Sequence, residues 1–233
     1  MQPSNMKNAI LNDATLVFDL DGTLVDTAPD LIRTLNHVLA EAGFPSVPLD
    51  RFRPLISRGA RALIVEGLAL FEEKRSEEQL DELFERFLDH YVDNLAVESA
   101  PYPNLVTMLD AALNAGARLG VCTNKPEGIS RTLLRDLGLY DRFKAILGRD
   151  TLDVYKPDPR HLTETILRAG GQVDRAVMIG DNATDVNTAK AAGIPVIAVT
   201  FGYSEHPIHT LGADAVIDDY AKLMPLLSEI LGR

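Results

Sequence analysis

Six short apolar runs, separated by segments with helical patterns, constrain the fold of this chain more than any other feature. The runs are residues 15–18, 117–123, 143–147, 175–180, 195–200 and 214–217. Short apolar strands that alternate with helices are typical of a parallel sheet whose faces are covered by helices. At 233 residues, the chain is long enough for one large domain or for a domain that carries a smaller insert. The sequence therefore predicts an α/β fold built on a parallel sheet.

The helices between the later runs have recognisable ends. Pro103 is expected to open a helix that stops near Gly116. Asp158 followed by Pro159 is a typical pair of a helix N-cap and a first-turn proline. These signals support the alternation of strands and helices in the second half of the chain.

Helical patterns without a convincing strand fill residues 27–96. The clearest begins at Ser76, where a serine cap precedes apolar residues at helical spacing. A helical cap inserted after the first strand is therefore predicted, and such a lid can close over a ligand at the strand ends. We expect a loose N-terminal extension at 1–13, a catalytic core formed by 14–26 and 97–233, and the helical cap at 27–96.

Composition and charge exclude several classes of protein. No apolar run approaches the length of a membrane span, and the N-terminal residues lack the pattern of a signal peptide. One cysteine, Cys122, excludes an internal disulfide and fits a reducing compartment, so a cytoplasmic location is predicted. The net charge of −11 argues against a nucleic-acid partner, but it permits an anionic substrate in a locally positive pocket.

The stretch FDLDGTLVD places Asp19 and Asp21 two residues apart at the end of the first apolar run. Residues two apart in a strand point to the same side, so these charges repel unless a cation lies between them or the chain turns. Ligands of open α/β sheets bind at the carboxyl ends of the strands, where further polar residues are expected. Those residues are Thr23, Thr123, Asn124, Lys156, Asp181 and Asp185.

Three carboxylates without histidine or cysteine ligands suit a hard cation, and Mg²⁺ is the predicted ion when a phosphate shares the site. The cation would reduce the repulsion between the two aspartates. It would also reduce the repulsion between the phosphate oxygens and an attacking carboxylate. Lys156 can neutralise a phosphate oxygen, while Thr123 and the helix start beyond it supply hydrogen-bond donors. This combination predicts phosphoryl transfer through an aspartyl-phosphate.

Together these residues resemble the four motifs of the haloacid dehalogenase superfamily. The motifs are matched by DLDGT at 19–23, CTN at 122–124, YKPDP at 155–159 and GDNATD at 180–185. The resemblance covers nearly the whole chain from Ala14 onward. It implies a Rossmann-like core with a helical cap inserted after the first motif.

Residue by residue, the resemblance implies a role for each matched position. Asp19 would be the nucleophile, and Asp21 would be the general acid and base. The Mg²⁺ ligands would be Asp19, the backbone oxygen of Asp21, and Asp181. Asp185 would support the site from the first turn of its helix. The substrate-binding residues would be Thr123, Asn124 and Lys156.

Within the superfamily, the runs DGTLVDTAPDL and KAAGIPVIAVTFGYS resemble the phosphoglycolate phosphatases. The predicted reaction is the Mg²⁺-dependent hydrolysis of 2-phosphoglycolate, a small phosphorylated metabolite, to glycolate and phosphate. A phosphatase for pyrophosphate or a sugar phosphate is the alternative. A phosphomutase similar to β-phosphoglucomutase is less favoured, because residues 27–33 lack the histidine that such mutases tend to carry. A non-catalytic binding module would have no need of Asp19.

Four arginines at positions 51, 53, 58 and 61 stand out in a segment of this otherwise acidic protein. Arg58 precedes Gly59 at the expected start of a helix. A guanidinium can bind a carboxylate with two hydrogen bonds, so Arg58 is the candidate to bind a second anion of the substrate. The alternative is that these arginines pair with acids on the surface of the cap.

Overall fold

The protein is described by a computed structural model that covers residues 11–232. The strands are β1 (Thr15–Phe18), β2 (Val25–Asp26), β3 (Ala100–Pro101), β4 (Arg118–Cys122), β5 (Ala145–Leu147), β6 (Ala176–Gly180), β7 (Val196–Val199) and β8 (Ala215–Ile217). Six of them form a parallel sheet in the order β5-β4-β1-β6-β7-β8. Each predicted apolar run contains one of these strands, so the predicted α/β fold is confirmed.

The α-helices alternate with the strands of the parallel sheet, except in one long insert and between β7 and β8, which a 3₁₀ turn connects. They are α1 (Ala28–Glu41), α2 (Leu49–Phe52), α3 (Ala60–Ala69), α4 (Glu77–Val92), α5 (Leu105–Asn114), α6 (Glu127–Asp136), α7 (Pro159–Arg168), α8 (Ala183–Ala192) and α9 (Leu223–Ile230). Short 3₁₀ turns are Arg53–Arg58, Tyr140–Arg142, Val173–Arg175, Ile208–Thr210 and Tyr220–Lys222. The first four α-helices lie between β2 and β3. Within residues 11–232, no helix combines the length and apolar composition that a membrane crossing needs.

The register of the central strands determines where the polar residues meet. Phe18 of β1 pairs with Val121 of β4 on one side and with Ile179 of β6 on the other. The strand order reverses at β1, because the chain continues to β4 and β5 on one side and to β6, β7 and β8 on the other. The residues that follow β1, β4 and β6 therefore lie together at a topological switch point, where such sheets bind ligands.

The sheet buries an apolar core on each face. Alternate strand residues point to opposite faces, so Leu16 and Phe18 belong to one core while Val17 belongs to the other. The larger core continues into the helical insert, where Phe87 and Tyr91 of α4 are buried. The insert and the sheet are thus packed against each other through apolar contacts.

Helix ends follow the local signals in the sequence. Ser76 accepts a hydrogen bond from the backbone of Gln79, whose side chain accepts one from the backbone of Ser76, as a capping box requires. Asp158 caps α7, and Pro159 occupies its first turn. The helix expected after Pro103 is α5, which ends two residues before Gly116.

A short antiparallel ribbon joins the two ends of the helical insert. Val25 pairs with Pro101, and Asp26 pairs with Ala100. No pattern in the sequence predicts this ribbon, because strands of two residues show no periodicity. Next to it, the buried carboxylate of Asp30 accepts hydrogen bonds from the backbone of Glu98 and Ser99. The segments where the chain enters and leaves the insert are therefore tied together.

The N-terminal prediction concerned residues 1–13, of which 1–10 lie outside the described residues. Leu11 is buried in the core, and the backbone N–H of Asp13 donates to the carbonyl of Gly116 at 3.1 Å. Arg118 contacts the Asp13 carboxylate at 2.9 Å. Leu11 therefore belongs to the core because its side chain is apolar, whereas Asn12 and Asp13 are exposed, and the extent of the loose extension stays a prediction.

Candidate active site

Three central strands end in polar side chains that are almost completely buried. Asp19 follows β1, Thr123 follows β4 and Asp181 follows β6, and each is at most 6% exposed. The backbone N–H of Asp19 still donates to Ile179 in β6 at 2.9 Å, so the sheet itself positions this residue. The sequence prediction that these side chains share one end of the sheet agrees with their positions.

A cluster of three carboxylates forms the centre of the site. One carboxylate oxygen from each of Asp19, Asp181 and Asp185 lies within 4.8 Å of the others. Burial raises the pKa of Asp19 to about 7, although Lys156 acts in the opposite direction. Burial and the two neighbouring acids raise the pKa of Asp181 well above its usual value. The protein alone therefore stabilises the charged forms of Asp19 and Asp181 poorly.

Lys156 is the cation in contact with this cluster. Its Nζ lies 2.9 Å from Oδ1 of Asp19 and 2.7 Å from Oδ1 of Asp185. Burial alone would lower the pKa of Lys156, but the neighbouring Asp185 and Asp19 outweigh burial and raise it. One ammonium faces three acids, so the ionised cluster carries excess negative charge. Oxygen ligands with excess negative charge fit a hard divalent cation such as Mg²⁺.

Asp185 holds the loop that carries Asp181. Its Oδ2 accepts hydrogen bonds from the backbone of Asp181 at 3.0 Å and of Asn182 at 3.3 Å. Its other oxygen contacts Lys156, so both carboxylate oxygens have partners within the protein. The expected supporting position in the first helical turn agrees with these contacts.

The Asp181 carboxylate is fixed from several sides. Oδ2 accepts a hydrogen bond from the backbone of Tyr203 at 2.6 Å, and Oδ1 accepts one from the Thr23 hydroxyl at 3.2 Å. Two glycines allow this close packing. A Cβ atom at Gly22, where φ is +81°, would lie 2.3 Å from Oδ2 of Asp181, and one at Gly202 would lie 2.2 Å from its Cβ.

Asp21 points away from the acidic cluster, because the chain turns after β1. Its carboxylate accepts hydrogen bonds from the Thr27 hydroxyl at 2.7 Å and from Nζ of Lys125 at 3.0 Å. The turn thus separates the two like charges of FDLDGTLVD at the level of their side chains. This leaves Asp21 facing the cavity beside Asp19, with a cation of its own.

The remaining predicted residue, Asn124, supports the lysine loop. Its side-chain N–H donates to the backbone carbonyl of Lys156 at 3.0 Å, and its Oδ1 is buried without a partner within residues 11–232. Asn124 also lines the cavity. Its predicted contact with substrate stays a prediction.

A cavity of about 540 Å³ lies between the strand ends and the helical insert. Its polar floor contains Asp19, Asp21 and Lys156. Its walls are largely apolar and come from the insert; they include Leu31, Ile56, Leu63, Phe84, Phe87 and Leu88. A pocket with polar groups at one end and apolar walls is typical of a small-molecule site.

Residues 16–199 match the family model of haloacid dehalogenase-like hydrolases. The chain belongs to this family. Within it, a phosphoglycolate phosphatase from Agrobacterium fabrum is 47% identical over 215 residues, which cover 92% of each chain. One from Caulobacter vibrioides is 47% identical over 210 residues, covering 90% of this chain and 89% of that protein. The crystal structure of a predicted phosphoglycolate phosphatase from Haemophilus somnus has a TM-score of 0.85 at 28% identity, covering 93% of this chain and 98% of that one.

These relatives confirm the predicted superfamily, the fold and the enzyme class. The haloacid dehalogenase-like hydrolase described here is a phosphatase, as its sequence motifs predicted. Residues of all four motifs line one cavity.

Lys125 of this hydrolase was not predicted as a site residue. Its Nζ contacts Asp21 and lies 2.8 Å from the hydroxyl of Tyr91 in α4. Burial alone would lower the pKa of Lys125, but Asp21 and Tyr91 together outweigh burial and raise it. A signal was present, because this lysine directly follows Thr123 and Asn124 in the second motif.

Tyr203 was not predicted as a site residue either, although it lies within the run KAAGIPVIAVTFGYS. Its hydroxyl accepts hydrogen bonds from the backbone of Thr27 at 2.6 Å and of Ala28 at 2.9 Å, and it donates to Oδ1 of Asp26 at 2.7 Å. Tyr203 therefore connects the loop after β7 to the start of α1. The same residue holds Asp181 through its backbone, so it links the acidic cluster to the helical insert.

Arg58 lines the cavity, but its guanidinium is already paired. Its Nε donates to Oε1 of Glu205 at 2.8 Å, and its Nη1 donates to Oε1 of Glu66 at 2.9 Å. Arg61 likewise pairs with Glu77 at 2.7 Å. These contacts agree with the alternative reading, in which the arginines of this segment pair with nearby acids.

Proposed function

We propose that this phosphatase hydrolyses 2-phosphoglycolate to glycolate and phosphate, with Asp19 as the nucleophile. The observation that carries the proposal is the buried Asp19, held against Lys156 at the floor of the cavity between the strand ends and the helical insert. The substrate is taken from the relatives named phosphoglycolate phosphatase, which are 47% identical to this chain.

In the proposed reaction, an Asp19 oxygen attacks phosphorus and the bond to the ester oxygen breaks. Asp21 gives its proton to the leaving glycolate oxygen. Asp21 then accepts a proton from a water molecule, whose oxygen attacks the aspartyl-phosphate and releases the Asp19 carboxylate with phosphate. Asp21 suits this role because it faces the cavity outside the acidic cluster.

Lys156 and Thr123 would bind the phosphoryl oxygens. The Thr123 hydroxyl accepts a hydrogen bond from the backbone of Lys125 at 3.2 Å, which leaves its own hydrogen for a phosphoryl oxygen. Lys156 would neutralise a second oxygen, and this lysine is held in place by Asp185 and Asn124. Asn124 is proposed to complete this part of the site.

Mg²⁺ is the proposed cofactor, and the residues present fit it. The carboxylates of Asp19 and Asp181, together with the backbone oxygen of Asp21, would hold the ion. When bound, it would neutralise charge on the carboxylates and on the phosphoryl group. The support is the buried cluster of oxygen ligands with excess negative charge.

We further propose that residues 27–96 act as a cap over a core made of 14–26 and 97–233. Apolar walls from the insert would exclude water from the reacting phosphoryl group, which strengthens its electrostatic contacts. Cytoplasmic location, proposed from the single cysteine, fits an enzyme that acts on a small metabolite.

The proposed function is tested with a panel of small phosphorylated compounds, whose kcat/KM values are compared in the presence of Mg²⁺. We expect 2-phosphoglycolate to exceed pyrophosphate, glucose 6-phosphate and ethyl phosphate. If another member of the panel is the best substrate, the phosphatase class stands and the substrate assignment is wrong.

A phosphatase for a larger sugar phosphate is the second candidate, because the cavity of about 540 Å³ exceeds the volume of 2-phosphoglycolate. The same panel distinguishes the two candidates. A phosphomutase would convert a sugar phosphate to its isomer without releasing phosphate, and we expect no such product.

A further inference from the structure

Lys125 and Tyr91 form a buried pair between the core and the helical insert. Lys125 lies in the loop after β4, and Tyr91 lies near the end of α4. Nζ of Lys125 is 2.8 Å from the hydroxyl oxygen of Tyr91, and both residues line the cavity. Tyr91 is 2% exposed and Lys125 is 8% exposed, so water contributes little to either polar group.

The Tyr91 hydroxyl has a hydrogen to donate. It accepts its hydrogen bond from Lys125, and no acceptor for its own hydrogen is found within residues 11–232. Burial raises the pKa of Tyr91 to about 12, which keeps the phenol protonated. The pair therefore presents an ammonium and an unpaired O–H donor side by side, a combination that suits a carboxylate.

The pair also lies at the right place along the proposed substrate. Nζ of Lys125 is 3.0 Å from Oδ1 of Asp21, the group proposed to protonate the ester oxygen. In 2-phosphoglycolate the carboxylate oxygens are separated from the ester oxygen by three covalent bonds, so they lie roughly 3 Å from it. A cation in contact with Asp21 is therefore within reach of the substrate carboxylate.

The other cations that line the cavity are Lys156, Arg58, Arg61 and Arg149, and each is less suited to this role. Arg61 pairs with Glu77 at 2.7 Å, and Arg149 is exposed. Lys156 is engaged by Asp19 and Asp185 at the phosphoryl end. Arg58 is bound by Glu205 and Glu66, and its side chain is 44% exposed. A half-exposed guanidinium with two acidic partners discriminates weakly between substrates, because water and the acids compete for it.

We propose that Lys125 and Tyr91 bind the carboxylate of 2-phosphoglycolate and so determine the specificity of this phosphatase. The inference rests on the proposed function. Lys125 supplies the charge from the core, and Tyr91 supplies a second donor from the helical insert. An ester without the carboxylate leaves the hydrogen of the buried Tyr91 hydroxyl unpaired, which costs binding energy. Recognition also requires the insert to lie against the core, because the two donors come from different parts of the chain.

The test compares 2-phosphoglycolate with ethyl phosphate, in which a methyl group replaces the carboxylate. Tyr91→Phe removes one donor and keeps the ring, so the fold and the contact of Lys125 with Asp21 are retained. We expect it to lower kcat/KM for 2-phosphoglycolate about tenfold more than for ethyl phosphate, as loss of a hydrogen bond to a charged group implies. Lys125→Met should lower both activities, with an additional loss for 2-phosphoglycolate of roughly 10- to 100-fold.

Matched controls lie away from the cavity. The Tyr140 hydroxyl also accepts a hydrogen bond from a cation, Nη1 of Arg131 at 2.9 Å, so Tyr140→Phe makes the same chemical change elsewhere. Lys144 is exposed on the core surface, which makes Lys144→Met the control for the lysine variant. Both controls should keep the wild-type ratio of the two activities.

A binding measurement provides a readout that does not depend on turnover. In the Asp19→Asn background, calorimetry should show weaker binding of 2-phosphoglycolate when Tyr91→Phe is added, with a smaller change for ethyl phosphate. The inference is wrong, and the carboxylate is bound elsewhere, if Tyr91→Phe leaves the ratio of kcat/KM for 2-phosphoglycolate to kcat/KM for ethyl phosphate unchanged. The same conclusion follows if Tyr91→Phe weakens the binding of both ligands equally. If the wild type does not prefer 2-phosphoglycolate to ethyl phosphate, the proposed function itself fails and the inference fails with it.

Discussion

At the scale of single residues, the site is defined by charges that the protein buries without balancing them. Asp19, Asp181 and Asp185 share one ammonium, Lys156, and all four side chains are nearly inaccessible. Buried charges without full compensation are costly, so their presence indicates a functional demand. Replacing any one of them changes both the chemistry and the charge balance.

Asp19→Asn should abolish turnover and leave the fold intact. The amide has nearly the shape of the carboxylate but cannot attack phosphorus. We expect a loss of at least about 1,000-fold in kcat, or roughly 4 kcal/mol of barrier, measured by release of phosphate. Circular dichroism provides the control for folding. Activity within about tenfold of the wild type, or ~1.4 kcal/mol, would assign the nucleophile to another residue.

The raised pKa of Asp19 also predicts a pH dependence of stability in the metal-free protein. Its folded-state pKa of about 7 lies above the ordinary value of 3.8, so the native state holds a proton that the unfolded state releases in this window. The free energy of unfolding should therefore fall as pH rises from about 4 to about 7. Chemical denaturation in EDTA measures it, and Asp19→Asn should flatten this slope. An identical slope in the variant would contradict the shift.

At the scale of elements, the helical insert depends on how its two ends are joined. Asp30 of α1 is completely buried and binds the returning chain through the backbone of Glu98 and Ser99. Burial acts to raise the pKa of Asp30, but hydrogen bonds from Ser99, Arg33 and Glu98 outweigh it and lower the pKa. The carboxylate therefore stays charged and holds the base of the insert.

Asp30→Asn should destabilise the protein by about 3 kcal/mol, because it removes the charge that Ser99 and Arg33 bind through hydrogen bonds in a buried place. Thermal unfolding measures the effect. Asp81→Asn is the matched control, since Asp81 pairs with Arg61 on the exposed face of α4. Exposed pairs contribute little, so the control should change stability by less than about 1 kcal/mol. Equal effects of the two variants would rule out a special role for Asp30.

Elements also differ in how well the sequence predicts them. The serine cap at Ser76 and the Asp158–Pro159 start were correctly predicted, because each involves residues within one helical turn. The ribbon of β2 and β3 was not predicted, because its partners are more than seventy residues apart and its strands are too short for a pattern.

At the scale of the whole molecule, a bound cation should couple the acidic cluster to global stability. A ligand that binds only the folded state stabilises it by mass action, by about 2.7 kcal/mol at a hundred times its Kd. We expect Mg²⁺ to raise the melting temperature and to restore activity lost in EDTA.

Asp181→Ala should remove most of this Mg²⁺ effect and raise the Mg²⁺ concentration needed for activity far more than it raises KM for substrate. Asp136→Ala, which changes an exposed acid at the end of α6, should behave as the wild type. Full activity of the wild type in a chelator, or an unchanged Mg²⁺ response in Asp181→Ala, would refute the metal site.

The sequence by itself determined the parallel sheet, the insert after its first strand and the strand ends that carry the polar residues. These features depend on periodicity, helix caps and short motifs, which are properties of neighbouring residues. Only the tertiary structure decided that Asp21 contacts Lys125, that Tyr91 faces the cavity and that Arg58 is occupied by Glu205. It also decided the part played by Tyr203, whose hydroxyl meets the backbone of Thr27 across 176 positions of sequence. Such contacts are set by packing between distant segments, and no local pattern encodes them.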